Sequence, residues 1–323
     1  MTGAGPVPAW GTRDSPDSTR FVDTGRRRLL LSGWSLHLPD VDARSTLAPV
    51  LGPPGGQWAR TEWVGADSAA TVLGRKGLLY KEPATRLALC AVHRALGLPW
   101  GQRGETSLSP ETAVIACSSL GNVGTVAKVA RTIAAEGGRA VSVLDAPNVS
   151  SNVMASSVAL WFGFGGPNLQ VCSGSAAGFS GLRLAELLLR SERASRVVLV
   201  GAEPADEVAA ALHGGGLRAG SACVVLERAP ENVGSRGHRD PLIAPVRAVL
   251  DLGVRPGLRG CRVSAGGREF DIGSEWGDFH GAHGVVALSL AAHLAVDEGH
   301  GVVGIGSASV RSAEHVAGEK GFR

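Results

Sequence analysis

A run of small residues joins an apolar strand to a helix in the middle of the chain. The run is Cys172-Ser173-Gly174-Ser175-Ala176-Ala177-Gly178, and a helical pattern follows it through about Arg190. A side chain exposed at a helix start meets unpaired backbone N–H groups and the positive end of the helix dipole, which favour developing negative charge. This is a suitable position for a nucleophile. The alternative is that the small residues only allow close packing of strand and helix.

The segment around this run predicts helix, turn, strand, tight turn, helix and strand. Residues 151–162 carry apolar side chains at helical spacing and stop at a Gly- and Pro-rich turn, and residues 169–171 form a short apolar strand. Residues 197–201 are apolar without alternation, as expected for a strand covered on both faces. The helix after the run is predicted to turn these leucines inward: Leu182, Leu184, Leu187 and Leu188.

Further apolar patterns predict that strands and helices continue along the chain. Strands are expected at 27–36, 112–117, 220–227 and 243–252, with helices within 76–96 and at 285–295. The strands beginning near residues 27, 112, 169, 197 and 222 are predicted to share one mixed sheet. Residues 1–24 have the composition of a disordered arm, and residues 231–240 that of a charged linker.

Composition excludes several classes of function. A formal charge of +3 over 323 residues, with scattered basic residues, argues against nucleic-acid binding. The five cysteines contain no CxxC pair and indicate reduced core residues of a cytoplasmic protein, Cys172 among them as a buried strand residue. No long apolar segment predicts a membrane span or export. Neither a cofactor nor a metal site is predicted.

The sequence from Gly166 and Pro167 to Gly178 resembles the active-site segment of β-ketoacyl synthases, in the thiolase superfamily. In that family a Gly-Pro pair precedes a strand that leads to the nucleophilic cysteine. Counted from the Gly-Pro pair, the cysteine position falls on Ser175 and not on Cys172. The resemblance extends over residues 27–309 and is strongest in the first half. It implies a thiolase-like α-β-α-β-α layered fold with a shortened C-terminal half, divided as 1–24, 25–230 and 231–323.

The second half departs from the pattern of this family. The His-Gly-Thr segment of ketosynthases is absent, and so is their lysine. Aligned on residues 281–284 (Gly-Ala-His-Gly), Asp278 occupies the second histidine position, while His280 and His283 lie nearby but out of register. Decarboxylative condensation needs a thiolate and donors for an enolate and an oxyanion. These departures therefore argue against a condensing enzyme.

The resemblance leaves two functions open in polyketide or fatty-acyl biosynthesis. The first is a non-condensing partner, similar to a chain-length factor, that pairs with a ketosynthase or with itself through residues 142–171 and works beside acyl carrier protein. The second is a serine acyltransferase or hydrolase acting on carrier-protein or coenzyme A thioesters. There Ser175 is the nucleophile, His280 or His283 the base, and Asp278 the residue that orients it. Each of these side chains can instead be a packing residue.

Overall fold

The computed structural model describes residues 27–39, 41, 63–101, 109–228, 247–252 and 262–314. Within them the strands form one mixed sheet in the order β3-β2-β4-β5-β1-β6-β10-β9-β7-β8. The strand bounds are β1 Arg27–His37, β2 Thr112–Cys117, β3 Asn168–Val171, β4 Arg196–Glu203, β5 Gly220–Arg228, β6 Ala248–Leu252, β7 Arg262–Ala265, β8 Arg268–Asp271, β9 Val302–Ile305 and β10 Ala308–Ser312. We call β1–β5 the first-half strands and β6–β10 the second-half strands.

The helices alternate with these strands. Their bounds are α1 Ala70–Leu73, α2 Pro83–Ala95, α3 Val123–Glu136, α4 Val153–Phe162, α5 Ala177–Arg190, α6 Glu207–His213, α7 Ile272–Trp276 and α8 His283–Val296. The helices described are at most 14 residues long, and none of them is long and apolar enough to cross a membrane.

The first-half strands form the predicted mixed sheet. Strand β2 pairs in parallel with β3 and β4, while β5 is antiparallel to β4 and to β1. Neighbouring residues on β2 and β4 face two different apolar cores. Ile115 and Leu199 point into a central core, whereas Val114 and Val198 point into an outer core that they share with α2 and α4. The absence of polar alternation in these strands follows from this double burial.

Among the residues that the structure describes, strands β7 and β9 bury one face only. Val263 and Ile305 belong to the central core, whereas Arg262, Ser264 and Val302 on the same strands are exposed. On the outer face Asp251 accepts from both Arg28 and Arg311. The described helices that contact these strands, α7 and α8, lie on the inner side. Among the described residues, the outer face of β7 and β9 is therefore more polar and more exposed than either face of β2 and β4.

Helices α5 and α8 form the layer between the two sets of strands. They meet at Gly178 and Gly284, because a β-carbon on Gly178 would lie only 2.7 Å from the Gly284 α-carbon. Helix α8 is buried almost all round and contacts first-half and second-half strands. This close approach brings the N-termini of the two helices together.

The structure corrects details of the predicted pattern. The strand at 112–117 and the helices at 83–95 and 153–162 lie where expected. Leu187 is 61% exposed instead of facing inward, and Leu189 is buried in its place. Cys172 lies beyond the end of β3 and is exposed, so the prediction of a buried strand residue was wrong. The predicted arm at 1–24 and linker at 231–240 lie outside the described residues, as does the start of the strand predicted at 243–252.

Candidate active site

The helix crossing at Gly178 and Gly284 places two short turns against each other. Ser175 lies in the 3₁₀ turn Gly174–Ala176 immediately before α5, and its side chain is exposed. The facing 3₁₀ turn is His280–Ala282, immediately before α8. A β-carbon built on Gly174 would lie 3.6 Å from Cε1 of His280. Residues far apart in the sequence, Ser175 and His280, are thus neighbours at the ends of two helices.

Glu203, at the end of β4, links the segments around these two turns through hydrogen bonds. Its buried carboxylate accepts from the Ser118 hydroxyl at 2.9 Å and from the backbone N–H groups of Ser119, Leu120 and Gly281 at 2.7, 3.0 and 3.1 Å. Desolvation raises the pKa of this carboxyl, while the donated hydrogen bonds oppose the shift.

The network around Glu203 continues to the turn that carries Ser175. The backbone N–H of Gly174 donates to the Ser119 hydroxyl at 3.0 Å, and Ser119 is itself bound to Glu203. Glu203 therefore connects the Ser175 turn to the His280 turn. No sequence motif indicated this role.

Asp278 lies at the centre of a polar cluster beside the two turns. One carboxylate oxygen accepts from the His280 backbone N–H at 2.6 Å, and the other lies 3.0 Å from Nε2 of His213. The pKa of Asp278 is held well below its usual range, first by the His283 side chain, and further by the His280 N–H and by His213, against the effect of desolvation. Asp278 is therefore a carboxylate at neutral pH.

His213 is the member of this cluster that carries no sequence motif. It ends α6, and the following Gly214, Gly215 and Gly216 all have positive φ (88, 108 and 75°). This glycine loop bends the Gly215 carbonyl back to within 2.7 Å of Nδ1 of His213. The ring of His213 lies edge-on to that of His280, 5.1 Å between centroids. The signal in the sequence is a histidine followed by three glycines that require left-handed backbone.

His280 has an unusual backbone and a lowered basicity. Its φ of +42° lies in the left-handed region, which costs about 1–3 kcal/mol for a residue other than glycine and occurs mainly at functional sites. Desolvation lowers the pKa of His280, with a further contribution from His213, while Asp278 opposes the shift. The ring is consequently neutral at physiological pH.

The remaining predicted site residues take different positions. Nδ1 of His283 is buried without a hydrogen-bond partner among the described residues and lies 3.6 Å from a carboxylate oxygen of Asp278. The Ser175 hydroxyl makes no hydrogen bond to any residue that the structure describes. Asp278 reaches His280 through its backbone and not through its ring. Partial desolvation and the Glu203 charge raise the pKa of Cys172, so its exposed thiol is not activated.

The sequence was compared with models of known families. The model described as β-ketoacyl synthase, N-terminal domain, matches residues 66–229, which is half of the chain. The chain belongs to the β-ketoacyl synthase family. The match covers β2 to β5, both sides of the small-residue run and the Glu203 carboxylate. A search of the curated proteins found no match.

Solved structures support the same fold. The ishigamide ketosynthase/chain length factor is 20% identical, with a TM-score of 0.51, over 75% of this chain and 68% of that chain. A β-ketoacyl synthase from Burkholderia phymatum is 12% identical, with a TM-score of 0.55, over 88% of this chain and 98% of that chain.

Proposed function

We propose that this ketosynthase-family chain is a non-condensing partner of a ketosynthase in polyketide or fatty-acyl biosynthesis. It works beside acyl carrier protein, as a chain-length factor does. The observation that carries the proposal is a run of exposed apolar side chains in residues 142–171, which include the edge strand β3. The similar ishigamide structure, a ketosynthase/chain length factor, is in keeping with such a role.

The segment 142–171 presents large apolar side chains to solvent. Val143 and Leu160 are 83% and 78% exposed, and Leu144, Val149 and Leu169 are 38–44% exposed. Leu187 on the neighbouring α5 adds another. Scattered exposed leucines need no explanation, but a concentration on one stretch of chain is typical of a protein–protein interface.

The edge strand β3 offers backbone groups for pairing. Among the described strands it has one hydrogen-bonded neighbour, β2, and its other edge is unpaired. A two-fold axis beside such an edge pairs it antiparallel with the same strand of a second chain, which satisfies the free N–H and C=O groups. Pairing of this kind explains why an apolar edge strand is present, since an unpaired one would promote aggregation.

The chemistry at the two turns agrees with a non-condensing role. A hydroxyl at Ser175 replaces the thiol, and the family's second histidine position carries Asp278, an anion. A carboxylate there repels a developing enolate instead of stabilising it. The partner role needs only the fold and an interface, and the exposed apolar side chains of residues 142–171 support such an interface.

The test is the assembly state of variants at the edge. We expect the wild-type chain to form a dimer, with itself or with a co-expressed ketosynthase, by light scattering and co-purification. Leu160→Lys and Leu169→Lys should weaken this association at least about tenfold, because each buries a charge at an apolar interface. Val302→Lys, at an exposed position on a second-half strand, is the matched control. A wild-type monomer indifferent to any ketosynthase would contradict the proposal.

A second function is favoured by the position of His280 beside the turn of Ser175. A neutral imidazole there can remove the proton of the serine as it attacks a thioester, and α5 directs its N-terminal dipole at the same place. In this alternative the chain transfers or hydrolyses an acyl group. Asp278 positions His280 by accepting from its backbone N–H, because the carboxylate makes no hydrogen bond to the ring.

The two functions differ in the fate of Ser175→Ala. For acyl transfer, the variant loses all covalent adduct, and His280→Gln slows acylation about 10²–10⁴-fold. For a partner, Ser175→Ala leaves the product pattern of the ketosynthase unchanged. Bulky residues in its place can alter the chain length of the product in that case.

A further inference from the structure

A cluster of two histidines and one carboxylate joins the first half of the chain to the second. It consists of His213 at the end of α6 with Asp278 and His280 before α8, and one ligand-type atom from each lies within 4.8 Å of the others. The two loops are tied together by the backbone, since Arg218 N–H donates to the Asp278 carbonyl at 2.8 Å. We call this group the His-Asp-His cluster.

One ring nitrogen of His213 bonds to a backbone carbonyl, and the other faces the Asp278 carboxylate. Nδ1 meets the Gly215 carbonyl oxygen, which can only accept, so Nδ1 carries a proton. Nε2 lies 3.0 Å from the Asp278 carboxylate, which also only accepts. In the neutral ring, a lone pair would face a negative oxygen at hydrogen-bond distance. A second proton or a metal ion between the two atoms removes this conflict.

The surroundings have the features of a metal site. A histidine ligand whose far nitrogen donates to a backbone carbonyl is oriented as metal-bound imidazoles usually are. The His280 backbone N–H donates to the Asp278 oxygen that does not face His213. Nδ1 of His283, which is buried and without a partner among the described residues, lies 3.6 Å from that same oxygen. The cluster therefore has both candidate ligands and the groups that orient them.

We propose that His213, Asp278 and His280 bind one zinc ion. Imidazole nitrogen and carboxylate oxygen at three positions, with the fourth left to water, are the donor set of an open tetrahedral zinc site. Ligand atoms in such a site lie roughly 3.4 Å apart, so small side-chain rotations bring the present group into place. The ion links the end of α6 to the 3₁₀ turn before α8 and coordinates a ring nitrogen of His280. Zinc binding and general-base use of His280 therefore exclude each other.

The test uses tag-free full-length protein stripped with a chelator and then titrated with zinc chloride by calorimetry. We expect one ion per chain at pH 7.5, weaker binding at pH 6 because protons compete for the imidazoles, and the visible bands of tetrahedral cobalt on substitution with cobalt. At a zinc concentration of about 100 times Kd, the melting temperature should rise by roughly 5 °C.

Variants of the cluster residues test whether these side chains, and not others in the chain, bind the zinc ion. Asp278→Asn, which keeps the shape of the side chain, and His213→Gln should each weaken binding at least about 100-fold, whereas His300→Gln, outside the cluster, should not. Circular dichroism checks that the variants fold. The proposal is overturned if the wild type binds no stoichiometric zinc, or if the cluster variants bind it as tightly as the wild type.

This proposal stands apart from the proposed function. A partner protein can contain a zinc site or lack one, and loss of dimerisation in the edge variants says nothing about zinc. Conversely, a chain without zinc binding can still form the β3 interface.

Discussion

The two sets of strands in this sheet bury their side chains differently. In β4, the neighbouring Val198 and Leu199 point in opposite directions and are both fully buried, each in its own core. In β7, the neighbouring Val263 is buried and Ser264 is exposed. Among the described residues, β4 has an apolar core on each face, whereas β7 has one on its inner face only. A strand with two packed faces should therefore be more sensitive to substitution than a strand with one.

The strongest test of this comparison is a set of single substitutions on β4 and β7. Leu199→Ala and Val198→Ala should each lower the free energy of unfolding, by about 3 and 2 kcal/mol, since both faces are close-packed. On β7, Val263→Ala should be costly and Ser264→Ala should change stability by less than about 0.5 kcal/mol. Denaturant melts measure all four. Equal costs for the two β7 substitutions would show that its outer face is covered.

The helix crossing that connects the halves should be almost as sensitive. Gly178→Ala places a methyl group 2.7 Å from the Gly284 α-carbon, against backbone that cannot move aside locally. We expect a loss of about 2 kcal/mol and a displaced Ser175 turn. Gly138→Ala, where nothing lies within 4 Å, is the control and should be nearly neutral. If both variants have wild-type stability, α5 and α8 do not meet as described.

Double burial in the first half also makes it sensitive to acid. His37 on β1 is buried, donates from Nε2 to the Val64 carbonyl and accepts at Nδ1 from Arg94, so the ring is neutral. Desolvation, aided by Arg94, lowers the pKa of His37 to about 3. Because the unfolded chain takes up this proton below its ordinary pKa of 6.5, stability is complete above pH 6.5 and is lost progressively as the pH falls towards 3.

The measurement is the pH dependence of unfolding for the wild type and for His37→Gln. Between pH 7 and pH 5 this one group should remove roughly 2 kcal/mol of stability. The variant should be less stable at pH 7 but should lose less between the two values. Parallel curves for the two proteins would mean that His37 is not the acid-sensitive group.

The smallest effect is expected on the polar face of the second half. Asp251 lies between Arg28 and Arg311, all partly exposed. Arg311→Ala should cost about 1 kcal/mol, because the pair is only partly buried and Arg28 still neutralises Asp251 in the variant, and salt should reduce that cost. A loss of several kcal/mol that is insensitive to salt would indicate a buried network and an outer face less exposed than described.

The sequence predicted the first half well because its signals are simple. The continuous apolar run of Thr112–Cys117 and the helical spacing of residues 83–95 have few alternative interpretations. The family resemblance then located Ser175 before α5. In the second half, β7 and β8 are four-residue strands in a Gly- and Arg-rich stretch, and alternation over so few residues was not recognised.

The cluster beside the site could be predicted only in part. Asp278, His280 and His283 are close in sequence, so their proximity was visible without a structure. His213 joins them through a loop of three glycines whose role the sequence alone did not reveal, and Glu203 joins them through backbone N–H groups of two separate segments, Ser119–Leu120 and Gly281. Leu187 was misplaced because it follows Leu182 by five residues, which at 3.6 residues per turn places it well away from the buried face, whereas Leu189 returns to that face.

The most direct test of the central claim is the intact mass of the protein after incubation with acyl-carrier and acyl-coenzyme A thioesters. A non-condensing partner keeps its unmodified mass, while a ketosynthase in the same mixture gains one acyl group on its cysteine. Ser175→Cys serves as the control for access of the thioester to the turn. The account predicts an unchanged mass for the wild-type chain. One acyl group per chain, absent from Ser175→Ala, would contradict it and establish acyl transfer through Ser175.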